Sequence, residues 1–270
     1  MIRETLRSRL SICQHLDRQD KHQSQTRIVE HSKVATVKPA FLDVIRDIQN
    51  SFLDSLNHNQ DSSLISILEV GSGVIPLSSN GYLVVSSDIQ VSNGVDVCID
   101  GTAIGLKTAS FNYLFCQNSF HHFESLSRFL VEASRILRPG GKVYLVEPSF
   151  SLLARIVYPR LFDSETYIHD LRLHNIDDVQ KSNRYPNQAS SYVVFVKNLS
   201  MLIESLPFIE SVSIRHLPSG LRYLLTGGLN FRSLAPKWVL SLLRKFERTT
   251  VGCFMLSKLS LHWLVEIQFR

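Results

Sequence analysis

The sequence predicts an α/β protein, doubly wound on a mostly parallel sheet, and three observations carry that prediction. First, "LISILEV" (64–70), "YLVVSSD" (82–88), "VDVCID" (95–100), "FNYLFCQN" (111–118) and "KVYLVEP" (142–148) are short apolar runs rich in β-branched residues. Most are near-continuous rather than alternating, as strands covered on both faces of a parallel sheet are. Second, "LSRFLVEASRIL" (126–137) lies between the fourth and fifth runs and sets Leu126, Phe129, Leu130, Ala133, Ile136 and Leu137 on one helical face. "RPGG" (138–141) then stops the helix and turns the chain, which completes a strand–helix–strand unit. Third, "LSLHWLVEIQF" (259–269) alternates strictly, with Leu259, Leu261, Trp263, Val265, Ile267 and Phe269 on one face. Such a strand is expected to be half exposed, antiparallel and near an edge.

The remaining elements follow in chain order. Residues 1–38 are polar and mixed in charge and are expected to form a weakly ordered or helical extension. From Pro39, which suits a first helical turn, "PAFLDVIRDIQNSFLDSL" places Leu42, Ile45, Ile48, Phe52 and Leu56 on one stripe. After the fifth strand, residues 149–191 show no strong periodicity. A connection of that length inside a compact domain usually has a function, and 150–191 is expected to be a lid or substrate insertion. A helix at 191–205, with Tyr192, Phe195, Val196, Leu199, Leu202 and Ile203 on one side, precedes the strand "IESVSIRHL" (209–217). A helical insertion is expected over 218–250. Within it, "APKWVLSLLRKFER" (235–248) sets Val239, Leu242, Leu243 and Phe246 in register, with Arg244, Lys245 and Arg248 along the polar side. Residues 39–270 thus read as one domain.

Composition narrows the class. The chain has 270 residues, 44% hydrophobic and 20% charged, which is ordinary for a globular protein. The formal net charge of +5 comes from scattered basic residues, with no long Lys/Arg block and no basic aromatic stripe, so a nucleic-acid partner is not expected. Cys13, Cys98, Cys116 and Cys253 are dispersed and make no CxxC pair, so nothing requires an oxidising compartment. There is no apolar signal-peptide core of about 7–15 residues at the N-terminus. No run approaches the roughly 20 apolar residues of a spanning helix. Cytoplasmic is the expected setting.

The candidate site begins at "ILEVGSGVIPL" (67–77), where an apolar strand ends in Glu69 and then Gly71 and Gly73. Either this is a tight turn, or a ligand needs the backbone close. Ligands in such sheets bind beyond the carboxyl ends of the strands, where strand order reverses. Asp88 ends the second strand, a position suited to a carboxylate accepting bonds from ribose hydroxyls. Asp100 with Gly101 ends the third, and Asn118 ends the fourth. Acids and Asn commonly open loops, which explains each position separately but four together less well.

The stretch "LEVGSG…SSDI…VCIDGTAIGLKTASFNYLFCQNSFHHF…FLVEASRILRPGGKVYLVEPS" resembles the core of the class I S-adenosylmethionine-dependent methyltransferases, over about residues 64–149. The resemblance implies a Rossmann-like, seven-stranded sheet with an antiparallel last strand, S-adenosylmethionine as cofactor and a small-molecule acceptor. It also implies that Glu69, Gly71 and Gly73 lie against the methionine and ribose of the cofactor. Asp88 would bind the ribose hydroxyls, Asp100 and Gly101 would border the adenine, and Asn118 would line the floor near the methionine. Two departures stand out: Ile75 replaces the third glycine of the family loop, and only Gln90 to Gly94 separate the second and third strands, leaving no room for the usual helix. Beyond 149, "NQASSYVVF" (187–195) and "RYLLTGGLNFRSLAP" (222–236) are similar to methyltransferase-like proteins of bacterial surface-polysaccharide and glycolipid pathways. That implies a setting rather than a substrate; in that setting a sugar hydroxyl of a glycan or glycolipid intermediate is the expected acceptor.

A hydroxyl nucleophile needs its proton removed, so a base is sought beside the crevice. His121 and His122, just past the fourth strand, are the candidates; the alternative is that they cap the next helix or bond to backbone. Glu147, ending the fifth strand, comes next, with a loop-opening carboxylate as its alternative. His169 and His174 lie in the lid segment. Two adjacent histidines with scattered acids have no ligand spacing of geometric force, so no metal is expected. The helix at 235–248 either packs on the sheet or rests on an anionic membrane. Three functions remain: the methyltransferase; a non-catalytic subunit of that fold acting in assembly or regulation; and a nicotinamide-dependent dehydrogenase. The last is disfavoured by a GxG loop in place of GxGxxG.

Overall fold

The structure, a computed structural model, describes residues 38–56, 64–73, 75–91, 94–161, 165–181, 186–228 and 231–270. The extension expected over 1–38 lies outside the described residues except for Lys38. Seven strands form one sheet: β1 (Ser66–Val70), β2 (Leu83–Asp88), β3 (Val97–Cys98), β4 (Phe111–Gln117), β5 (Leu137–Pro148), β6 (Ile209–His216) and β7 (His262–Phe269), in the order β3-β2-β1-β4-β5-β7-β6. β1 to β5 pair parallel, and β7 runs antiparallel to both β5 and β6. The order reverses between β1 and β4, which puts the crevice at the carboxyl ends of those strands.

Burial follows the apolar runs. All five residues of β1 are buried, and its alternate side chains feed two cores on opposite faces of the sheet. On one face, α1 (Pro39–Leu53) buries Phe41, Val44, Ile45, Ile48 and Phe52, and the Phe52 ring stacks on Phe115 at 4.4 Å. On the other, α2 (Leu126–Ile136) buries Leu126, Phe129, Leu130, Ala133 and Ile136. The Ser125 hydroxyl caps α2 by accepting from the Arg128 N–H. "RPGG" does stop α2, but it stays inside β5 as a register shift opposite Phe111 and Tyr113 rather than leaving the sheet as a free turn.

Three further elements differ from expectation. The helix expected over 191–205 is broken: Ser190–Tyr192, a single π turn at Val193–Lys197, then Leu199–Ser205. The extra residue in the π turn rotates the helical face, so Val193 and Val194 are buried while Val196 is exposed. β7 is antiparallel and one strand in from the edge, but it is more covered than its alternation suggests. Its polar positions find partners instead of water: Lys142 donates to Glu266 at 2.6 Å and Gln268 to Glu210 at 2.8 Å.

The third is the C-terminal insertion, which consists of α3 (Gly220–Leu225), α4 (Lys237–Glu247) and α5 (Thr250–Ser257), the last of these running past the expected boundary at 250. Buried Arg222 joins it to α1, bonding Glu247 (2.8 Å) and Asp47 (2.6 Å), and Arg244 adds a second bond to Asp47 at 2.6 Å. The apolar positions of α4 do not all face inward: Leu240 is buried, whereas Trp238, Leu242 and Phe246 are exposed.

Candidate functional site

Glu69 ends β1 as a buried clasp. Both its carboxylate oxygens accept from the Leu77 N–H, at 3.1 and 2.9 Å, which ties the glycine loop back to the strand that precedes it. Burial raises its pKa to about 7. Within the loop, Gly71 (φ +75°) leaves no room for a side chain: a Cβ would stand 2.5 Å from the Ser119 Cβ. Ser119 in turn donates to the Val70 carbonyl at 3.0 Å, so the β1 and β4 loops interlock. Gly73 (φ +56°) is the opposite case, with nothing within 4 Å of where a Cβ would be. One glycine is required by packing and the other faces open space.

The other predicted cofactor residues gather along the same edge. Asp88 Oδ2 accepts from the Gly73 N–H at 2.9 Å and Oδ1 from the Gln90 N–H at 3.0 Å. Each oxygen keeps a lone pair for a hydroxyl. Asp100 Oδ1 accepts from both the N–H and the hydroxyl of Thr102, at 2.8 Å each. Gly101 lies so close to Phe123 that a Cβ would meet the ring at 2.6 Å. Asn118 holds φ +50°, uncommon for a residue with a side chain, and its Oδ1 is buried without a hydrogen-bond partner, as is the Oε1 of Gln117. Orphaned buried acceptors are rare, and a ligand or an ordered water can complete their bonding. With Gly73 open beside Asp88 and Asn118 awaiting a donor, the edge fits a nucleoside-bearing cofactor. Among the described residues between β2 and β3 there is no helix, and Ile89 and Val91 are exposed there.

Past Asn118 the chain makes one 3₁₀ turn, Phe120–His122, which brings the three candidate catalytic residues together. Glu147 is fully buried and spends its oxygens on the protein: Oε1 accepts from the N–H groups of Ser119 (3.0 Å) and Phe120 (2.9 Å), and Oε2 sits 2.5 Å from His121 Nδ1. Burial works against a charged His121, but Glu147 and Glu165 outweigh it and raise the imidazole to about 10. A ring holding its proton that firmly is no base at neutral pH.

Glu165 was not among the sequence candidates. It comes from the expected lid segment, where Thr166 pairs with Asn187, and Gln188 bonds the Glu165 carboxylate. Its Oε2 lies 3.5 Å from His121 Nε2 and its Oε1 3.6 Å from His122 Nε2. Burial alone would raise its pKa, but the two histidines and Gln188 hold it below the ordinary carboxylate range. No spacing in the sequence links Glu165 to the histidines. The same segment is tied down by Gln180, which donates to the His121 carbonyl at 2.8 Å, and by Asp177, which accepts from the Ser127 N–H at 2.9 Å. His169 and His174 are exposed and stand apart from this cluster. Asn187 and Arg222 are buried: Asn187 bonds Ile168 and Ala189, and Arg222 holds the insertion as described.

Residues 70–145 match the family described as a methyltransferase domain. No match was found among curated proteins. Among solved structures, the chain is similar to phosphoethanolamine N-methyltransferase 2 from Haemonchus contortus in complex with S-adenosyl-L-methionine (10% identity, TM-score 0.43). That match covers 83% of this chain and 52% of the other, so the chain spans about half the length of that enzyme. It is also similar to a SAM dependent methyltransferase from Archaeoglobus fulgidus (10% identity, TM-score 0.47, covering 84% and 94%) and to one from Aquifex aeolicus (14% identity, TM-score 0.40, covering 67% and 90%). At these identities and TM-scores the likenesses carry no argument about substrate. The stretch that matches the methyltransferase domain runs from the end of β1 into β5 and contains the glycine loop, Asp88, Asn118 and both histidines.

Proposed function

We propose that this protein transfers the methyl group of S-adenosylmethionine to a hydroxyl of a small molecule, a sugar of a glycan or glycolipid intermediate. The observation that carries the cofactor half is the pairing of open space at Gly73 with the unpartnered Asn118 Oδ1 on the edge where Asp88 ends β2. When bound, the cofactor supplies an electrophilic methyl on sulfur. The chain's own task is to hold the two reactants in line and to exclude competing orientations. Gly71 and Glu69 keep the loop in shape. Asp88 receives the ribose hydroxyls, Asp100 and Gly101 border the adenine, and the Asn118 oxygen takes a donor from the methionine end. Glu147 is a positioning residue that fixes His121. The acceptor's hydroxyl meets the cluster of His121, His122 and Glu165, where the Glu165 carboxylate, paired with the half-exposed His122, takes the hydroxyl proton as the oxygen receives the methyl group and S-adenosylhomocysteine leaves. The segment 150–191 contributes Glu165 and covers the acceptor side as a lid.

Two features support a lipid-linked acceptor. The exposed Trp238, Leu242 and Phe246 of α4 and Val251, Phe254 and Met255 of α5 form an apolar surface, and Lys237, Lys245, Arg248 and Lys258 are exposed on the same two helices or beside them. Such a surface suits peripheral contact with an anionic membrane. Among the described residues no helix is long and apolar enough to cross one. We place the enzyme in the cytoplasm.

Calorimetric titration with S-adenosylmethionine, S-adenosylhomocysteine and NADH tests the cofactor. Binding of the first two alone is expected, and Asp88→Ala should weaken it by about 1.5–3 kcal/mol, the loss of hydrogen bonds to a charged group. Unchanged affinity in that variant removes Asp88 from the site. Binding of neither, by a folded protein, overturns the proposal.

A further inference from the structure

His121, His122 and Glu165 form a buried-to-exposed ion-pair cluster whose spacing also suits metal ligands. The two imidazole nitrogens face the two oxygens of one carboxylate across 3.5 and 3.6 Å. N–H···O bonds run about 2.7–3.2 Å, so neither contact is a well-made hydrogen bond. Around a tetrahedral ion with ligand bonds of about 2.1 Å, ligand atoms sit roughly 3.4 Å apart. One donor atom from each of the three residues lies within 4.8 Å of the other two.

The surroundings orient these atoms. His121 Nδ1 donates to Glu147, which is itself pinned by two backbone N–H groups, so Nε2 is turned toward Glu165, and a metal ion bound there would displace the proton Nε2 otherwise holds. A carboxylate behind the second ring nitrogen is the usual support of a metal-bound imidazole. Glu165 has the matching support from the Gln188 amide, whose own backbone N–H is held by the Thr166 carbonyl at 2.9 Å. Exposure rises across the cluster, from 3% at the His121 side chain to 20% at Glu165 and 45% at His122, which leaves one side open.

We propose that His121 Nε2, His122 Nε2 and the Glu165 carboxylate bind one divalent transition-metal ion of the zinc class and leave a coordination position open. Two nitrogens with one carboxylate select such an ion over magnesium or calcium, which prefer all-oxygen sites. Metal binding stands independently of the methyl-transfer proposal. The use of the open position, to hold the acceptor's oxygen, rests on it.

The full-length protein, stripped with a chelator, is titrated with Co²⁺ as a visible spectroscopic probe and then with Zn²⁺. One equivalent of Co²⁺ should give the intense visible bands of a low-coordinate site, and Zn²⁺ should bleach them. Glu165→Gln and His122→Ala should each weaken Co²⁺ by more than about 100-fold. Gln188→Ala, which leaves the ligands in place, should cost about 10–100-fold, as loss of outer support does. Circular dichroism confirms that each variant is folded. Absence of the coloured complex, or wild-type affinity in folded Glu165→Gln, overturns the site. S-adenosylmethionine is titrated into the same samples. If Co²⁺ fails to bind and the cofactor binds, only the metal site falls; the reverse result removes the methyl-transfer proposal and leaves the metal site standing.

Discussion

The parallel half of the sheet and the C-terminal helices use the same kind of sequence pattern to opposite ends. In β1, β4 and α2 the apolar faces are buried: Ile67, Leu68, Leu114, Phe115, Phe129 and Leu130 are inaccessible to solvent. In α4 the pattern is as strong, yet Trp238 is 67% exposed, and on the neighbouring α5 Phe254 is 67% exposed as well. What differs is the anchoring. The core elements are held by apolar faces on both sides of a sheet. The insertion is held by the Arg222, Asp47 and Glu247 network, which needs only one edge of α4 and leaves the apolar edge outward. Amphipathicity thus states that a face exists and says nothing of what covers it.

Substitutions can break or sharpen this contrast. The largest effect is expected in the core. Phe115→Ala removes a fully buried ring that stacks on Phe52 and should cost about 3–5 kcal/mol in urea unfolding. A loss below about 1 kcal/mol would show that this face repacks freely, and the contrast would fail. An intermediate, pH-dependent effect is expected at Glu69, which joins the core to the site. Its folded pKa of about 7 lies above the unfolded value near 4.5, so the folded state holds the proton more tightly. Its contribution is therefore fully present below about pH 4.5 and is lost as pH rises through about 7. Glu69→Gln should be penalised most at low pH, its deficit against wild type shrinking across that window. A constant difference would remove the titration from Glu69. The smallest stability effect belongs to the insertion. Trp238→Ala, Leu242→Ala and Phe246→Ala should each change unfolding by no more than about 0.5 kcal/mol. Combined, they should abolish co-sedimentation with anionic vesicles. Retained vesicle binding would leave the exposed stripe without its assigned partner.

The fold was largely legible because parallel strands buried on both faces spell themselves as continuous apolar runs, and because one helix between two of them defines the winding. β7 shows the limit. Its alternation of polar and apolar residues announces a strand, but whether Glu266 meets water or Lys142 depends on a neighbour distant in sequence. The short α5, "TVGCFMLS", carries almost no amphipathic signal, so its pattern does not announce a helix. In the site, the carboxyl-edge residues were readable because each closes a strand. Glu165 was not, since it reaches the histidines only through the pairing of Thr166 with Asn187. His121 was readable as a residue of interest but not in its charge state, which Glu147 and Glu165 set from elsewhere.

β7 also imposes an order on assembly. It is synthesised after β5 and β6, yet it lies between them and pairs with each along nearly its whole length. Until it emerges, β5 presents an unpaired ladder from Lys142 to Pro148, and β6 has no strand to join. A nascent or truncated chain lacking β7 therefore displays an apolar, hydrogen-bond-hungry edge of the kind that templates aggregation. The metabolic fate of such fragments would be set by chaperone capture and degradation rather than by slow unfolding, and the strand pair β1–β2 would be the first part of the sheet able to form without waiting.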